Sequence, residues 1–173
     1  MIVFHAVKQG TPEWLEIRKG LWTGSKALPL LQGKPIPNDS SGYQSWAMRR
    51  GHILEPLAIE EYERRYKRAV ARPGFVTNTV YPNAGYSPDG LDGGWLLEIK
   101  SFNGDRHEEL VRGDIPLKVL VQIYFGMIVT GKRKARLLAY NPECEEQLTV
   151  VNIPYDKIIG ANIRKKLRQS AKV

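Results

Sequence analysis

The sequence predicts an α/β fold, a central mixed β-sheet flanked by helices, built as one domain over residues 1–173. Runs of period two at Phe75 to Val80, Trp95 to Lys100, Ala135 to Tyr140 and Gln147 to Ile153 are bounded by Gly, Pro and Asn turns, as strands are. Helical periodicity fills the intervals and is strongest from Pro116 to Val129, where Leu117, Leu120, Val121, Tyr124, Met127 and Ile128 share a broad apolar face. The length allows a sizeable core, and no repeat or low-complexity segment divides the chain.

The N-terminal quarter carries helix signals. Thr11-Pro12-Glu13 supplies a threonine cap, a proline at the first helical position and an acid in the first turn. The helix from Pro12 to about Lys19 is expected to turn Trp14, Leu15 and Ile17 toward the core, with Arg18 near its end. Thr23-Gly24-Ser25 reads as a turn and a second cap, where exposed amides, a hydroxyl and a nearby arginine make an anion site. Gln32 to Gly42 reads as a loop and the most mobile segment. Tyr43 to Arg50 reads as helix, followed by a longer helix to about Lys67. Pro56 either opens that second helix or kinks a continuous one. Leu54, Leu57, Ala58, Tyr62 and Tyr66 form its expected buried stripe.

The segment Ser87-Pro88-Asp89-Gly90-Leu91-Asp92-Gly93-Gly94-Trp95-Leu96-Leu97-Glu98-Ile99-Lys100 holds the chemistry. Gly93-Gly94 turns the chain back on itself, so Asp89 and Glu98 converge across a hairpin although nine positions apart. Alternation places Trp95, Leu97 and Ile99 on one face and Leu96, Glu98 and Lys100 on the other. Two carboxylates beside backbone carbonyls suit a hard divalent ion such as Mg²⁺. A lysine next to them can orient a bound water or stabilise charge on a phosphate.

Beyond the hairpin, Asp105 to Val111 reads as a short polar helix facing DNA or solvent. Pro154-Tyr155-Asp156 starts the last helix, with Ile158, Ile159, Ile163 and Leu167 inward. The single cysteine, Cys144, excludes an internal disulfide and a cysteine-ligated cluster. His5, His52 and His107 have no metal-ligand spacing. No apolar run reaches membrane-spanning length and the N-terminus is not built as a secretory signal, so a cytoplasmic protein is expected. A net charge of +8 with basic clusters at Arg64 to Arg72, Lys132 to Arg136 and Arg164 to Arg168 suits a phosphate backbone.

The Asp…Glu-x-Lys hairpin resembles the signature of the PD-(D/E)XK nucleases, whose core is restriction-endonuclease-like. Trp14, Arg18, Gly20, Thr23 and Ser25 narrow the resemblance to the phage lambda-type exonucleases of the YqaJ-like viral recombinase family. Gly51…Glu55 and Gln122-Ile123-Tyr124-Phe125-Gly126-Met127 match two further motifs of that family in the same order. The resemblance implies a metal-dependent 5′→3′ exonuclease acting on linear double-stranded DNA and leaving 3′ single strands for recombination. Asp89, Glu98 and the Ile99 carbonyl would then hold Mg²⁺ or Mn²⁺ with Glu55 assisting. Lys100 and Gln122 would position the attacking water, and Arg18 and Ser25 would hold the 5′-phosphate. The implied partners are DNA ends, a single-strand annealing protein and further copies of the chain in a ring, within the host cytoplasm if the gene is a phage's. An endonuclease on the same core, structure-specific or nicking, is the first alternative; a non-catalytic DNA-binding module is the second.

Overall fold

The computed structural model describes residues 1–38 and 46–171; the expected end of the loop at Gly42 and the expected helix start at Tyr43 lie outside the described residues. Strands β1 (Ile2–His5), β2 (Phe75–Asn78) and β3 (Tyr81–Tyr86) form an antiparallel sheet in that order. Strands β4 (Gly90–Asp92), β5 (Trp95–Lys100), β6 (Lys134–Tyr140) and β7 (Leu148–Ile153) form a mixed sheet, with β5 and β6 parallel and the outer pairings antiparallel. The fold is α/β with helices against a mixed central sheet. Tyr81-Pro82-Asn83 opens β3, and the chain reverses just before it at Thr79 and Val80.

The helices are α1 (Pro12–Ile17), α2 (Ala27–Leu31), α3 (Trp46–Tyr66), α4 (Gly104–Arg112), α5 (Leu117–Thr130) and α6 (Lys157–Ser170). Alternation on β5 and β6 sorts the core onto two faces. Leu96, Ala135, Leu137 and Ala139 pack with α5 and α6, while Leu97, Ile99, Leu138 and Tyr140 pack with α3 through Leu54, Ala58, Ile59 and Tyr62. Helix α5 is covered nearly all round, with Val119, Val121, Ile123, Tyr124, Phe125, Met127 and Val129 buried. Its expected face is therefore too narrow, and Leu117 at its start is exposed.

Several inward assignments are corrected. Helix α1 buries no residue, and Leu15 is 54 % exposed because six residues cannot present a full apolar face to the core. Leu57 is exposed where Ile59 is buried. Ile158 is 75 % exposed because it stands in the first turn of α6, capped by Asp156, whose Oδ1 accepts from the Ile158 and Ile159 amides at 2.8 and 2.9 Å. Pro56 lies inside α3, so of the two arrangements the sequence left open the structure has the continuous helix. The polar α4 buries His107 and Leu110.

Candidate active site

Glu98 sits in the middle of β5, 1 % exposed, and its two oxygens accept from three side chains on three elements. The Lys100 ammonium and the Gln122 amide each donate to Oε1 at 2.6 Å, and the Tyr86 hydroxyl donates to Oε2 at 2.6 Å. Period two puts Lys100 on the same side as Glu98, α5 crosses that side to deliver Gln122, and β3 ends there with Tyr86. A buried carboxylate needs such donors to offset its lost hydration.

Asp89 follows the break at Pro88, which has no amide to continue a ladder. Its Oδ2 accepts from the Ile99 amide at 2.7 Å, which clips the loop to β5 one residue beyond Glu98. Burial, then the charges of Glu98 and Glu55, hold the Asp89 carboxyl well above the ordinary carboxylate range, against the opposing pull of Lys100 and the Ile99 amide. Burial works against the Lys100 ammonium, but Glu98, Asp89 and Glu55 together outweigh it and raise its pKa. Burial raises the Tyr86 phenol well above its usual value, helped by Glu98 and Asp89, so the hydroxyl remains a donor.

Glu55 reaches this centre from α3, and its Oε1 is paired with Arg72. Three carboxylates around one lysine leave a surplus of negative charge, and the donors are all oxygen, so the residues fit a hard divalent cation. As they stand, no three His, Cys, Asp or Glu side chains among the described residues are grouped to hold an ion; Glu98 accepts from protein donors and Glu55 is paired with Arg72.

The Thr23–Lys26 turn borders the same centre. Arg18, at the C-cap of α1, lies over the Trp14 ring at 3.9 Å and donates to Thr23 Oγ1 at 3.5 Å. Thr23 Oγ1 is 3.3 Å from Ser25 Oγ, and Ser25 is exposed. Ser25 does not cap a helix; it lies within a single 3₁₀ turn, Gly24–Lys26, that runs into α2. Trp14 Nε1 donates to Ser87 Oγ at 2.8 Å, two residues before Asp89, so the turn and the carboxylate hairpin are tied together. Gly24 belongs to the same packing: a Cβ there would stand 2.6 Å from the Tyr86 ring and 3.2 Å from Gln122 Cγ.

The structure thus brings Asp89, Glu98, Lys100, Gln122 and Glu55 into one electrostatic centre, with Arg18 and Ser25 at its border. Ile99 enters through its amide. Sequence reasoning missed Tyr86, because a lone tyrosine at a strand end carries no motif; its place before Ser87-Pro88-Asp89 is the only local sign.

The basic clusters are less free than their sequence suggests. Arg64 pairs with Glu61, Arg65 with Glu146, Arg68 with Asp92 and Arg72 with Glu55. In the second cluster, Arg136 lies over Trp95 at 4.1 Å and donates to the Tyr62 hydroxyl at 2.5 Å, which in turn donates to the buried Asp92 at 2.8 Å. Burial, with Asp92 adding to it, pushes the Tyr62 phenol up to about 12. This second polar cluster braces α3 against the turn end of the β4–β5 hairpin. No single helix among the described residues is long and apolar enough to cross a membrane.

Comparison with solved structures gives an alkaline exonuclease from Laribacter hongkongensis, at TM-score 0.79 and 24 % identity over 94 % of this chain and 91 % of that one. The same enzyme in complex with dAMP matches at TM-score 0.80, again with 24 % identity and the same coverage. A phage-related exonuclease from Haemophilus somnus 129PT matches at TM-score 0.56 and 13 % identity over 96 % of this chain and 87 % of that one. At these identities the likeness is one of fold. No curated protein matches the chain. The profile of the YqaJ-like viral recombinase domain matches residues 30–133, a segment that holds Glu55, Asp89, Glu98, Lys100 and Gln122. With more than half its length inside that match, the chain belongs to the YqaJ-like viral recombinase domain family.

Proposed function

We propose that this chain is a metal-dependent exonuclease that digests one strand of linear double-stranded DNA from a 5′-end, leaving 3′ single strands for phage-type recombination. The observation that carries the reading is the convergence of Lys100 and Gln122 on Glu98, beside Asp89, within hydrogen-bonded reach of the Arg18, Thr23 and Ser25 turn. Family membership and the alkaline exonuclease fold support it.

Asp89, Glu98 and the Ile99 carbonyl, with Glu55, would hold Mg²⁺ or Mn²⁺, which when bound supplies Lewis-acid polarisation of the scissile phosphate and a more acidic water. The protein's own part is positioning. Lys100 offers a fixed positive charge to the reacting phosphate, and Gln122 orients the water that Glu98 borders. Arg18 and Ser25 offer donors to a terminal phosphate, which sets the polarity of digestion. DNA ends, a single-strand annealing protein and a ring of identical copies in the cytoplasm complete the reading.

End-labelled linear duplex carrying a 5′-phosphate or a 5′-hydroxyl, incubated beside a covalently closed circle, tests it. The phosphorylated end should be digested first, EDTA should stop the reaction, and the circle should survive. Arg18→Ala should slow phosphorylated ends by about tenfold or more while affecting hydroxyl ends less. Cutting of the circle would make the enzyme an endonuclease, and equal loss at both ends would remove the basis for polarity.

A further inference from the structure

We infer that Tyr86 is a positioning residue that joins the Thr23–Lys26 turn to the Glu98 carboxylate, so that an anion held at the turn governs the orientation of the catalytic acid. This rests on the reading above for the identity of the anion, a DNA 5′-phosphate.

The ring of Tyr86 is 1 % exposed and packs closely against two glycines. A Cβ at Gly24 would come within 2.6 Å of its Cε2, and one at Gly126 within 2.5 Å of its Cζ. Both distances are shorter than side chains tolerate, so two glycines are what make room for this ring. Confined in this way, the phenol keeps its hydroxyl on Glu98 Oε2 at 2.6 Å. Gly24 also faces Gln122 Cγ, and Gln122 donates to the other oxygen of Glu98.

The turn therefore rests on two of the three side chains that donate to Glu98. Ser25 follows Gly24 and is exposed, while Thr23 precedes it and accepts from Arg18. A shift of this turn on gripping an anion is passed by contact to Tyr86 and Gln122, and by hydrogen bonds to both oxygens of Glu98. In a close-packed interior such a shift has few ways to dissipate.

Tyr86→Phe keeps the ring between the glycines and removes one hydroxyl. Its kcat on 5′-phosphorylated duplex should fall about 10- to 100-fold, the usual cost of losing a group that orients a metal ligand. KM for DNA should stay within about twofold, because no DNA contact is lost. The preference for phosphorylated over hydroxyl ends should collapse in kcat. Arg18→Ala should lose that preference in KM as well as in kcat. Calorimetric titration of metal-free protein with Mn²⁺ should show about tenfold weaker binding by Tyr86→Phe. Gly24→Ala, which pushes the ring instead of cutting its hydroxyl, should reproduce the loss of kcat and of end preference.

Wild-type kcat and Mn²⁺ affinity in Tyr86→Phe would overturn the inference, as would a loss confined to KM. If the wild type binds Mn²⁺ yet leaves linear duplex intact, the exonuclease reading falls and the Mn²⁺ affinities alone decide the role of Tyr86. A wild type that neither binds Mn²⁺ nor cleaves overturns both.

Discussion

Glu98 illustrates how much a single buried acid demands of its surroundings. Its position on an apolar strand costs hydration, and three donors on three elements restore what water would have given. Lys100 is the only cation of the three, so its removal changes the charge of the centre as well as its hydrogen bonding. Lys100→Ala is expected to reduce cleavage by at least about a hundredfold, the scale on which a positioned proton-handling or charge-stabilising group acts. Gel-shift affinity for a duplex end should stay near that of the wild type. Parallel loss of binding and cleavage would make the lysine structural. Neither Tyr86 nor Gln122 supplies a full charge, and their part is geometric.

Elements bring these residues together by simple means. The parallel pairing of β5 with β6, Glu98 opposite Leu137 and Lys100 opposite Ala139, requires a crossover, and α4 with α5 provides it. That crossover delivers Gln122 to the β5 face carrying Glu98. Helix α4, polar by sequence, is anchored by Leu110 and by His107, which is 4 % exposed with Nδ1 lacking a hydrogen-bond partner. Burial lowers the His107 pKa, only partly opposed by Glu108. A depressed imidazole favours its neutral form in the folded state, so its stabilising contribution is present above the ordinary value, about 6.5. It is lost as pH falls through the lowered one, because the unfolded chain then binds the extra proton. The melting temperature should therefore drop as pH falls below about 6.5 in the wild type and change less in His107→Leu. Identical pH profiles for the two proteins would show that α4 does not sense this proton.

At the scale of the whole molecule, burial first and then the charges of Glu98 and Glu55 hold the Asp89 carboxyl well above its ordinary range. Its stabilising contribution is full below the ordinary carboxylate pKa and is lost as pH rises through the raised one. Once its carboxyl is ionised the site opposes folding, as functional sites often do. Asp89→Asn is accordingly expected to melt higher than the wild type in EDTA. Mn²⁺ should raise the wild-type melting temperature by ligand linkage, equivalent to about 2.7 kcal/mol at a hundredfold excess over Kd, and leave the variant nearly unmoved. Equal responses in differential scanning fluorimetry would contradict the charge surplus.

What was legible in the sequence was local. Alternation from Trp95 to Lys100 and the Gly93-Gly94 turn were enough to put Glu98 and Lys100 on one side and to bring Asp89 back toward them. The strands of the β6–β7 hairpin and the presence of α5 followed from periodicity, though not which of its faces are buried, and the threonine cap of α1 followed from its type and position. Continuous helix through Pro56 was not legible, since one missing amide either ends a helix or is absorbed by packing, and the choice rests with Leu54, Ala58 and Tyr62 against the sheet. Nor was Tyr86, whose role comes from a phenol meeting a carboxylate twelve residues away between two glycines that are remote in the chain. The pairing of Arg64, Arg65, Arg68 and Arg72 with acids likewise depends on which side chains share a surface. By itself the sequence determined the residue types of the site and the strand that presents them, because both follow from near-neighbour periodicity. Only the tertiary structure decided which groups surround Glu98 and how the Thr23–Lys26 turn leans on it, because contacts between distant segments depend on packing that no local pattern encodes.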